Sequence, residues 1–177
     1  MKHFLISVDS SACFSDQELR ERGILMVRLS YTLDGREHVD AFENDAQRQL
    51  LYDKLAAGAL AQSSKANPEA FRTAWEGPLR EGSNILHLSL SSKVSGSYES
   101  ACQTAAELTA KYGGRIEVVD TGIGSFAITA LALELEKLQE SATLDEAKRA
   151  ALESLGEYNL IFAVADIQHL RRGGRVS

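Results

Sequence analysis

The chain of 177 residues has only two cysteines and two prolines, and it contains no long apolar run. Cys13 and Cys102 cannot form a disulfide framework or a metal-ligand set, so we expect a reducing, cytoplasmic location and two small, buried side chains. The longest apolar stretch, residues 160–165, is strand-sized and far below the roughly 18 residues of a membrane span. Lys2 and His3 lead directly into a short apolar run and Asp9, which predicts a first strand and no signal peptide.

Positive charge is also scarce in this chain. Lysine and arginine total 19 against 25 aspartate and glutamate residues, which gives a formal net charge of −6. Nucleic-acid phosphates are bound by clustered positive charge, so a generic nucleic-acid binder is not expected. The 44% share of hydrophobic residues and the length are typical of a single globular domain, which we place at residues 1–177.

Strand-length apolar runs alternate with segments of helical periodicity, which predicts an α/β fold with a mostly parallel sheet flanked by helices. The predicted strands are residues 4–8, 24–31, 85–88, 115–119 and 160–165, with a short extended segment at 37–39. The predicted helices are residues 44–57, a helix that begins at Asn67-Pro68, residues 96–112, residues 125–139, and a last one from the capping box at Thr143 to Gly156.

Three predicted strands end in an aspartate, namely Asp9, Asp120 and Asp166. Ligands of open α/β sheets bind outside the carboxyl ends of the strands, so these residues mark the predicted functional edge. A single aspartate at such a position more often caps a turn or a helix. No paired spacing accompanies the three aspartates, and we therefore predict no metal site.

The richest polar segment is the serine loop, residues 89–97, which joins a predicted strand to a predicted helix and contains five serines. Hydroxyls, backbone N–H groups and a helix dipole converge there, which suits a carboxylate or a phosphate. Ser95 or Ser97 could instead cap the helix, but that role explains one serine and not five. No glycine-flanked serine elbow or Ser-x-x-Lys pattern is present, so we expect hydrogen-bonding rather than nucleophilic serines.

Two further segments carry weaker signals. Ser63 and Ser64, beside Lys65, form a second hydroxyl pair that could also belong to an ordinary loop. Gly122 and Gly124 imitate part of a dinucleotide-binding fingerprint, but no second strand ends in an acidic residue about 20 positions later. The four histidines show no ligand spacing, and His87 is expected to be packed or half-exposed.

Four motifs in order resemble those of the DegV family. The family's opening motif is matched by Asp9-Ser10-Ser11-Ala12, and its Thr-Ser-Gln-Pro segment before an Asn-Pro-Glu-x-Phe helix by Ser63-Ser64-Lys65-Ala66 and Asn67-Pro68-Glu69-Ala70-Phe71. Its Ser-Ser-x-x-Ser-Gly-Thr-Tyr loop is similar to Ser91-Ser92-Lys93-Val94-Ser95-Gly96-Ser97-Tyr98. Its Leu-x-x-Gly-Gly-Arg-Ile signature is similar to the run from Leu170 to Val176. The resemblance therefore covers the whole chain.

The resemblance implies a non-catalytic carrier without a cofactor, which holds a long-chain fatty acid in a closed apolar tunnel. A separate ATP-dependent kinase, related to dihydroxyacetone kinases, would phosphorylate the carboxylate that this carrier presents. Carried over by position, the residues implied to bind the carboxylate are Ser63, Ser64, Ser95 and Gly96, with Asp9, Ser10, Lys65 and Ser92 as neighbours. Arg172 and Arg175 are implied to engage the kinase.

This sequence departs from the family pattern at Lys65, where the family has glutamine, so a cation is expected near the carboxylate. Family members also continue past the Gly-Gly-Arg motif into a second half that closes the tunnel. Two alternatives stay open. One is an acyl or phosphoryl hydrolase that uses the strand-end aspartates or Ser95, and the other is a nucleotide-binding domain built on the Gly122 turn.

Overall fold

The computed structural model describes residues 2–41, 45–159, 161, 163, 167–172, 174 and 176. Its strands are β1 (Leu5–Asp9), β2 (Leu25–Val27), β3 (Ser30–Leu33), β4 (Arg36–Val39), β5 (Ala61–Ser64), β6 (Ile85–Ser89) and β7 (Ile116–Asp120). Its helices are α1 (Asp16–Arg22), α2 (Asp45–Ala56), α3 (Pro68–Arg80), α4 (Ser97–Tyr112), α5 (Phe126–Glu136), α6 (Leu144–Ser154) and α7 (Ile167–Arg172), with a 3-10 turn at Leu155–Glu157.

The larger sheet is parallel and has the strand order β2-β1-β6-β7. Helices cover both of its faces, which confirms the predicted α/β fold with a mostly parallel sheet. Because the strands are parallel, their carboxyl ends share one edge, where Asp9 ends β1 and Asp120 ends β7. The predicted strand at residues 160–165 lies mostly outside the described residues, and Asp166 lies outside them entirely.

A second, antiparallel sheet with the order β4-β3-β5 divides the run that we predicted as one strand, residues 24–31. The break falls at Leu29. Its N–H donates to the Ser10 hydroxyl at 3.0 Å, and its carbonyl accepts from the N–H of Asp40 at 2.8 Å. These bonds replace the ladder bonds of a continuing strand, so the chain leaves the parallel sheet there and pairs again in the smaller one.

The larger sheet separates two apolar cores. One face packs against α1, α5 and α6 and buries Ile6, Val8, Leu86, Leu88 and Val119. The other face packs against α3 and α4, where Phe71, Trp75 and Leu79 follow one another at helical spacing and are fully buried. Each such side chain contributes about 1.5–3 kcal/mol through the apolar area removed from water.

Local signals fix the starts of three helices. Capping boxes begin α1 at Ser15 and α6 at Thr143, as predicted for the latter. Asn67 caps α3, where its side chain accepts from the N–H of Ala70, and Pro68 follows at the first helical position. Among the described residues, no helix is both long enough and apolar enough to cross a bilayer.

A buried polar chain crosses the core beneath α3. The Trp75 indole donates to the Ser7 hydroxyl at 2.9 Å, so that hydroxyl is free to donate to Nδ1 of His87 at 3.0 Å. The imidazole proton then lies on Nε2, which has no hydrogen-bond partner among the described residues. His87 is completely buried, and this burial lowers its pKa to about 3.

This burial predicts a pH-dependent stability. The unfolded chain, with His87 near 6.5, binds more protons than the folded chain between pH 3 and pH 6.5, so stability falls as the pH decreases through that range. His87→Asn keeps an acceptor for Ser7 but does not titrate. Urea unfolding at pH 7.5 and pH 4.5 should show that the wild type loses about 2–3 kcal/mol more than the variant. Parallel pH profiles for the two proteins would contradict the prediction.

Candidate functional site

Asp9 is a buried carboxylate that joins the first strand to the loop after β6. One of its oxygens accepts from the N–H of Leu90 at 2.7 Å, and the other accepts from the N–H of Ser11 at 3.0 Å and from the Ser11 hydroxyl. Burial raises the pKa of Asp9, and the hydrogen bonds from Ser11 and Leu90 offset part of that effect. These contacts favour a structural role for Asp9 at the carboxyl edge.

Asp120 holds the same loop from the other side. Its carboxylate accepts from the N–H of Ser92 at 3.0 Å, from the Ser92 hydroxyl at 2.5 Å and from the N–H of Gly122 at 3.2 Å. Burial alone would raise the pKa of Asp120, but these bonds and the nearby charge of Lys93 lower it below its ordinary value. The Ser92 hydroxyl is therefore already engaged, and Gly122 serves the tight turn expected of it.

The serine loop folds back on itself at the start of α4. The carbonyl of Ser91 accepts from the N–H of Ser95 at 3.1 Å. The Ser95 hydroxyl lies 2.8 Å from that of Ser97 and accepts from the N–H of Ser97 at 3.2 Å. Gly96 is the N-cap residue, and no side chain caps the helix in the standard way. The first N–H group of α4, that of Ser97, is therefore bound by the neighbouring Ser95 hydroxyl and not by a side chain of the N-cap residue.

The loop after β5 meets the serine loop at this point. The N–H of Ala66 donates to the buried Ser97 hydroxyl at 3.1 Å. A Cβ atom placed on Gly96 would lie 3.3 Å from Cδ of Lys65, which is closer than an ordinary contact. Glycine at this position therefore allows the Lys65 side chain to lie against the serine loop.

A polar cavity of about 410 Å³, the small cavity, opens where the two loops meet. It is lined by Lys65, Ser92, Lys93, Val94, Ser95, Gly96 and Gly174. The two lysines are exposed, and neither forms a salt bridge with a described residue. The structure thus brings four of the predicted residues, Lys65, Ser92, Ser95 and Gly96, to one place beside Gly174.

Ser63 and Ser64 lie in the smaller sheet, where they pair with Tyr31 and Ser30 of β3. Ser63 is exposed and Ser64 is partly buried. Within the described part of the chain, neither lines the small cavity, although Lys65 follows them directly. Contact of these two hydroxyls with a carboxylate therefore stays a prediction.

A larger cavity of about 930 Å³, the large cavity, lies beside the end of β1. Part of its wall is apolar and consists of Ala12, Phe14, Met26, Leu51, Tyr52 and Phe126. Its volume lies within the range of small-molecule sites in proteins, roughly 300–1,000 Å³. The sequence does not predict this cavity, because its walls come from five separate segments of the chain.

The polar part of the large cavity is held by side-chain contacts. Ser10, predicted as a neighbour of the carboxylate site, lines this cavity and donates to Asp40 at 2.7 Å; its place near a bound carboxylate stays a prediction. Arg28 donates to Asp16 at 2.6 Å and to the carbonyl of Asp40 at 3.2 Å. These bonds fix the orientation of the charged wall.

The expectation that both cysteines are buried is wrong. Cys13 is exposed and lines the large cavity, and Cys102 is partly exposed. The N–H of Cys13 donates to the Thr129 hydroxyl at 2.8 Å, which ties the loop before α1 to α5. No local pattern in the sequence predicts this long-range contact.

The geometry gives little support to a catalytic serine. In the described residues, the side-chain hydrogen bonds of Ser95 go to Ser97 alone, so no base contacts its hydroxyl. The same part of the chain contains no group of three or more histidine, cysteine, aspartate or glutamate side chains that could hold a metal ion. Arg172 ends α7, but its side chain and the whole of Arg175 lie outside the described residues.

The contacts of Asp120 predict that it orders the serine loop. Asp120→Asn replaces a carboxylate oxygen with an amide donor, so Ser92 loses a charged acceptor worth about 1.5–3 kcal/mol. Amide hydrogen exchange in the serine loop should become about tenfold faster or more. Asp145→Asn is the control, because among the described residues the Asp145 carboxylate accepts only from the exposed Arg115 side chain. Equal exchange rates in the two variants would contradict the prediction.

A family model described as an uncharacterised protein of the DegV family matches residues 3–177. A DegV domain-containing protein of Clostridium perfringens is 30% identical over 181 aligned residues, which cover all of this chain and 62% of that protein. Another, from Caldanaerobacter subterraneus, is 27% identical over 178 residues with the same coverage. The chain thus spans less than two thirds of the length of these relatives.

Solved structures show the same fold. A DegV family protein from Thermus thermophilus, described as binding fatty acid, is 29% identical with a TM-score of 0.81, and the match covers 98% of this chain and 60% of that one. A Thermotoga maritima protein described as having a fatty acid binding function is 26% identical with a TM-score of 0.76 over 88% of this chain and 56% of that one. The fatty acid kinase B3 protein of Streptococcus pneumoniae, solved with linoleic acid, has a TM-score of 0.82 over all of this chain and 62% of that one, and its 20% identity supports the fold alone.

Proposed function

The chain belongs to the DegV family, and on that basis we propose that it is a carrier that binds a long-chain fatty acid. The carboxylate would lie in the small cavity and the acyl chain in the large cavity. The observation that carries this proposal is the meeting of Lys65 with Ser95 and Gly96 at the carboxyl edge of the parallel sheet.

The small cavity has the features that an anionic head group requires. Lys65 and Lys93 supply positive charge that no described residue neutralises by a salt bridge, and the N-terminus of α4 adds its dipole. The Ser95 hydroxyl can donate to a carboxylate oxygen if its proton turns away from Ser97. Gly96 lets a ligand approach the backbone closely. Together these groups favour a small anion over a neutral ligand.

The large cavity suits the apolar part of the same ligand. Each methylene group that leaves water contributes about 0.8 kcal/mol, so the acyl chain provides most of the affinity while the head-group contacts set its orientation. Asp9, which ends β1, links the two regions, because its carboxylate accepts from Ser11 in the wall of the large cavity and from Leu90 in the serine loop.

The relatives support the class of ligand. The proteins from Thermus thermophilus and Thermotoga maritima, both more than 25% identical to this chain, are described as fatty-acid-binding. We propose the same ligand class here and no catalytic step for the chain itself, because the serine and aspartate side chains at the edge bind one another or the backbone.

The finer proposal concerns the fate of the bound carboxylate. As the resemblance implies, a separate ATP-dependent kinase of the dihydroxyacetone-kinase-like type would phosphorylate it, with Arg172 and Arg175 on the docking side. Gly174 of the same motif lines the small cavity, so these arginines are close in sequence to the head-group site. Guanidinium groups suit contact with phosphates through their fixed pair of donors.

The most direct test is the identity of the bound molecule. Protein purified from bacterial cells, extracted with organic solvent and analysed by mass spectrometry, should release long-chain fatty acid in an amount approaching one per chain. Refolded, delipidated protein should bind palmitate or oleate again. Failure of both measurements would exclude the carrier proposal, and turnover of a chromogenic ester would favour the hydrolase.

A second prediction tests the head-group site. Ser95→Ala and Ser63→Ala should each raise the dissociation constant for palmitate about ten- to a hundredfold, since a hydrogen bond to a charged group contributes roughly 1.5–3 kcal/mol. Thermal denaturation with and without palmitate measures the effect. Ser154→Ala is the control, because Ser154 bonds Glu134 and lines neither cavity among the described residues.

If Ser95 serves only the start of α4, the result should differ. Its alanine variant would then lose about 1 kcal/mol of folding stability, and its melting temperature would fall equally with and without palmitate. That outcome would remove Ser95 from the site, and the same outcome for Ser63→Ala would remove Ser63.

A further inference from the structure

Ser125 has an unusual backbone at the junction between β7 and α5. Its φ is 57° and its ψ is −135°, and it is one of two described residues other than glycine with a positive φ. A side chain with a Cβ atom rarely adopts this conformation, and such residues cluster at ligand sites where the surrounding structure holds them. Here the Ser125 hydroxyl lies 3.3 Å from Sγ of Cys13, in the wall of the large cavity.

The next residue, Phe126, projects into solvent at the large cavity. Its side chain is 73% exposed although it begins a helix whose other face is buried in the core. A large exposed aromatic residue that lines a cavity offers apolar surface to a ligand rather than to the fold. The backbone conformation of Ser125 therefore sets the position of the Phe126 side chain.

The segment before Phe126, residues 120–125, contacts the serine loop at the proposed head-group site. Asp120 binds Ser92, and the carbonyl of Ile123 accepts from the N–H of Ser91 at 3.1 Å. Three residues after Ile123, the chain reaches the wall of the large cavity at Phe126. Residues 120–126 therefore connect the serine loop with the large cavity.

We propose that Phe126 is a binding residue for the apolar chain where it leaves the head-group site, and that Ser125 is the positioning residue that fixes it there. This inference rests on the proposed fatty-acid function and names its contact surface. The ring covers the first methylene groups of the ligand, and the backbone of Ser125 holds the ring in place before the ligand binds. Preorganisation of this kind lowers the entropy cost of binding.

Titration of delipidated protein with palmitate tests the role of Phe126. Phe126→Gln should weaken binding about tenfold, because the variant loses part of the apolar contact area that a fully buried phenylalanine side chain would provide. Phe126→Leu, which keeps an apolar side chain, should restore most of the affinity. Leu152→Gln is the matched control, since Leu152 is also exposed, at 53%, but lines neither cavity. Melting temperatures without ligand should be alike for all three, because these side chains contribute little to the core.

Ser125→Gly tests the positioning role separately. Glycine adopts the observed backbone without strain, so the melting temperature should be unchanged or higher, while palmitate binding should weaken about threefold or more because the turn becomes less rigid. Unchanged affinity in this variant would overturn the role of Ser125.

The remaining outcomes separate this inference from the proposed function. If the wild type binds palmitate and Phe126→Gln binds it equally well, only the role of Phe126 is overturned. If the wild type binds no fatty acid, both proposals are overturned. Light scattering that shows a dimer dissociated by Phe126→Gln would instead assign the ring to an interface between copies of this chain.

Discussion

The hydrogen bonds that Leu90 and Ser92 donate to the carboxylates of Asp9 and Asp120 determine the geometry of the carboxyl edge. A parallel sheet brings strand ends together but leaves the loops beyond them without ladder partners. Here Asp9 accepts from the N–H of Leu90, and Asp120 accepts from the N–H and the hydroxyl of Ser92. Burial of Asp9 disfavours its charged form and raises its pKa, and its three donors offset part of this effect. The small cavity is lined by the loop that is held in this way, and Ser11, the other partner of Asp9, lines the large cavity.

Much of the fold follows from patterns that act over a few residues. Alternating strand and helix periods predict the parallel sheet, and the capping box at Thr143 predicts the start of α6 because cap and helix are adjacent in sequence. The smaller sheet could not be predicted in the same way. The break at Leu29 depends on Ser10 and Asp40, which reach it from other segments, and no local pattern records such a contact.

The residues of the candidate site also differ in whether their positions could be predicted from the sequence. Ser92, Ser95 and Gly96 belong to one loop, so the sequence predicts that they lie close together. In the structure, Lys65 lines the same cavity. The positions of Ser10 and Cys13 in the large cavity could not be predicted, because the walls of this cavity come from segments that are distant in sequence. The backbone conformation of Ser125 could not be predicted either, since a serine that follows a glycine does not indicate a positive φ.

The contacts at this edge favour the proposed carrier over an enzyme. Catalysis by serine or aspartate needs a hydroxyl or carboxylate held ready for a substrate, beside a base or an acid. In the described part of the chain, the carboxylates of Asp9 and Asp120 accept from loop donors, and the Ser95 hydroxyl hydrogen-bonds to Ser97 alone. The groups that remain available are lysine charges at the small cavity and apolar side chains at the large one. Positive charge at the small cavity and apolar side chains at the large cavity fit the proposed class of ligand, an amphipathic anion. Such a ligand can be bound there without a chemical reaction.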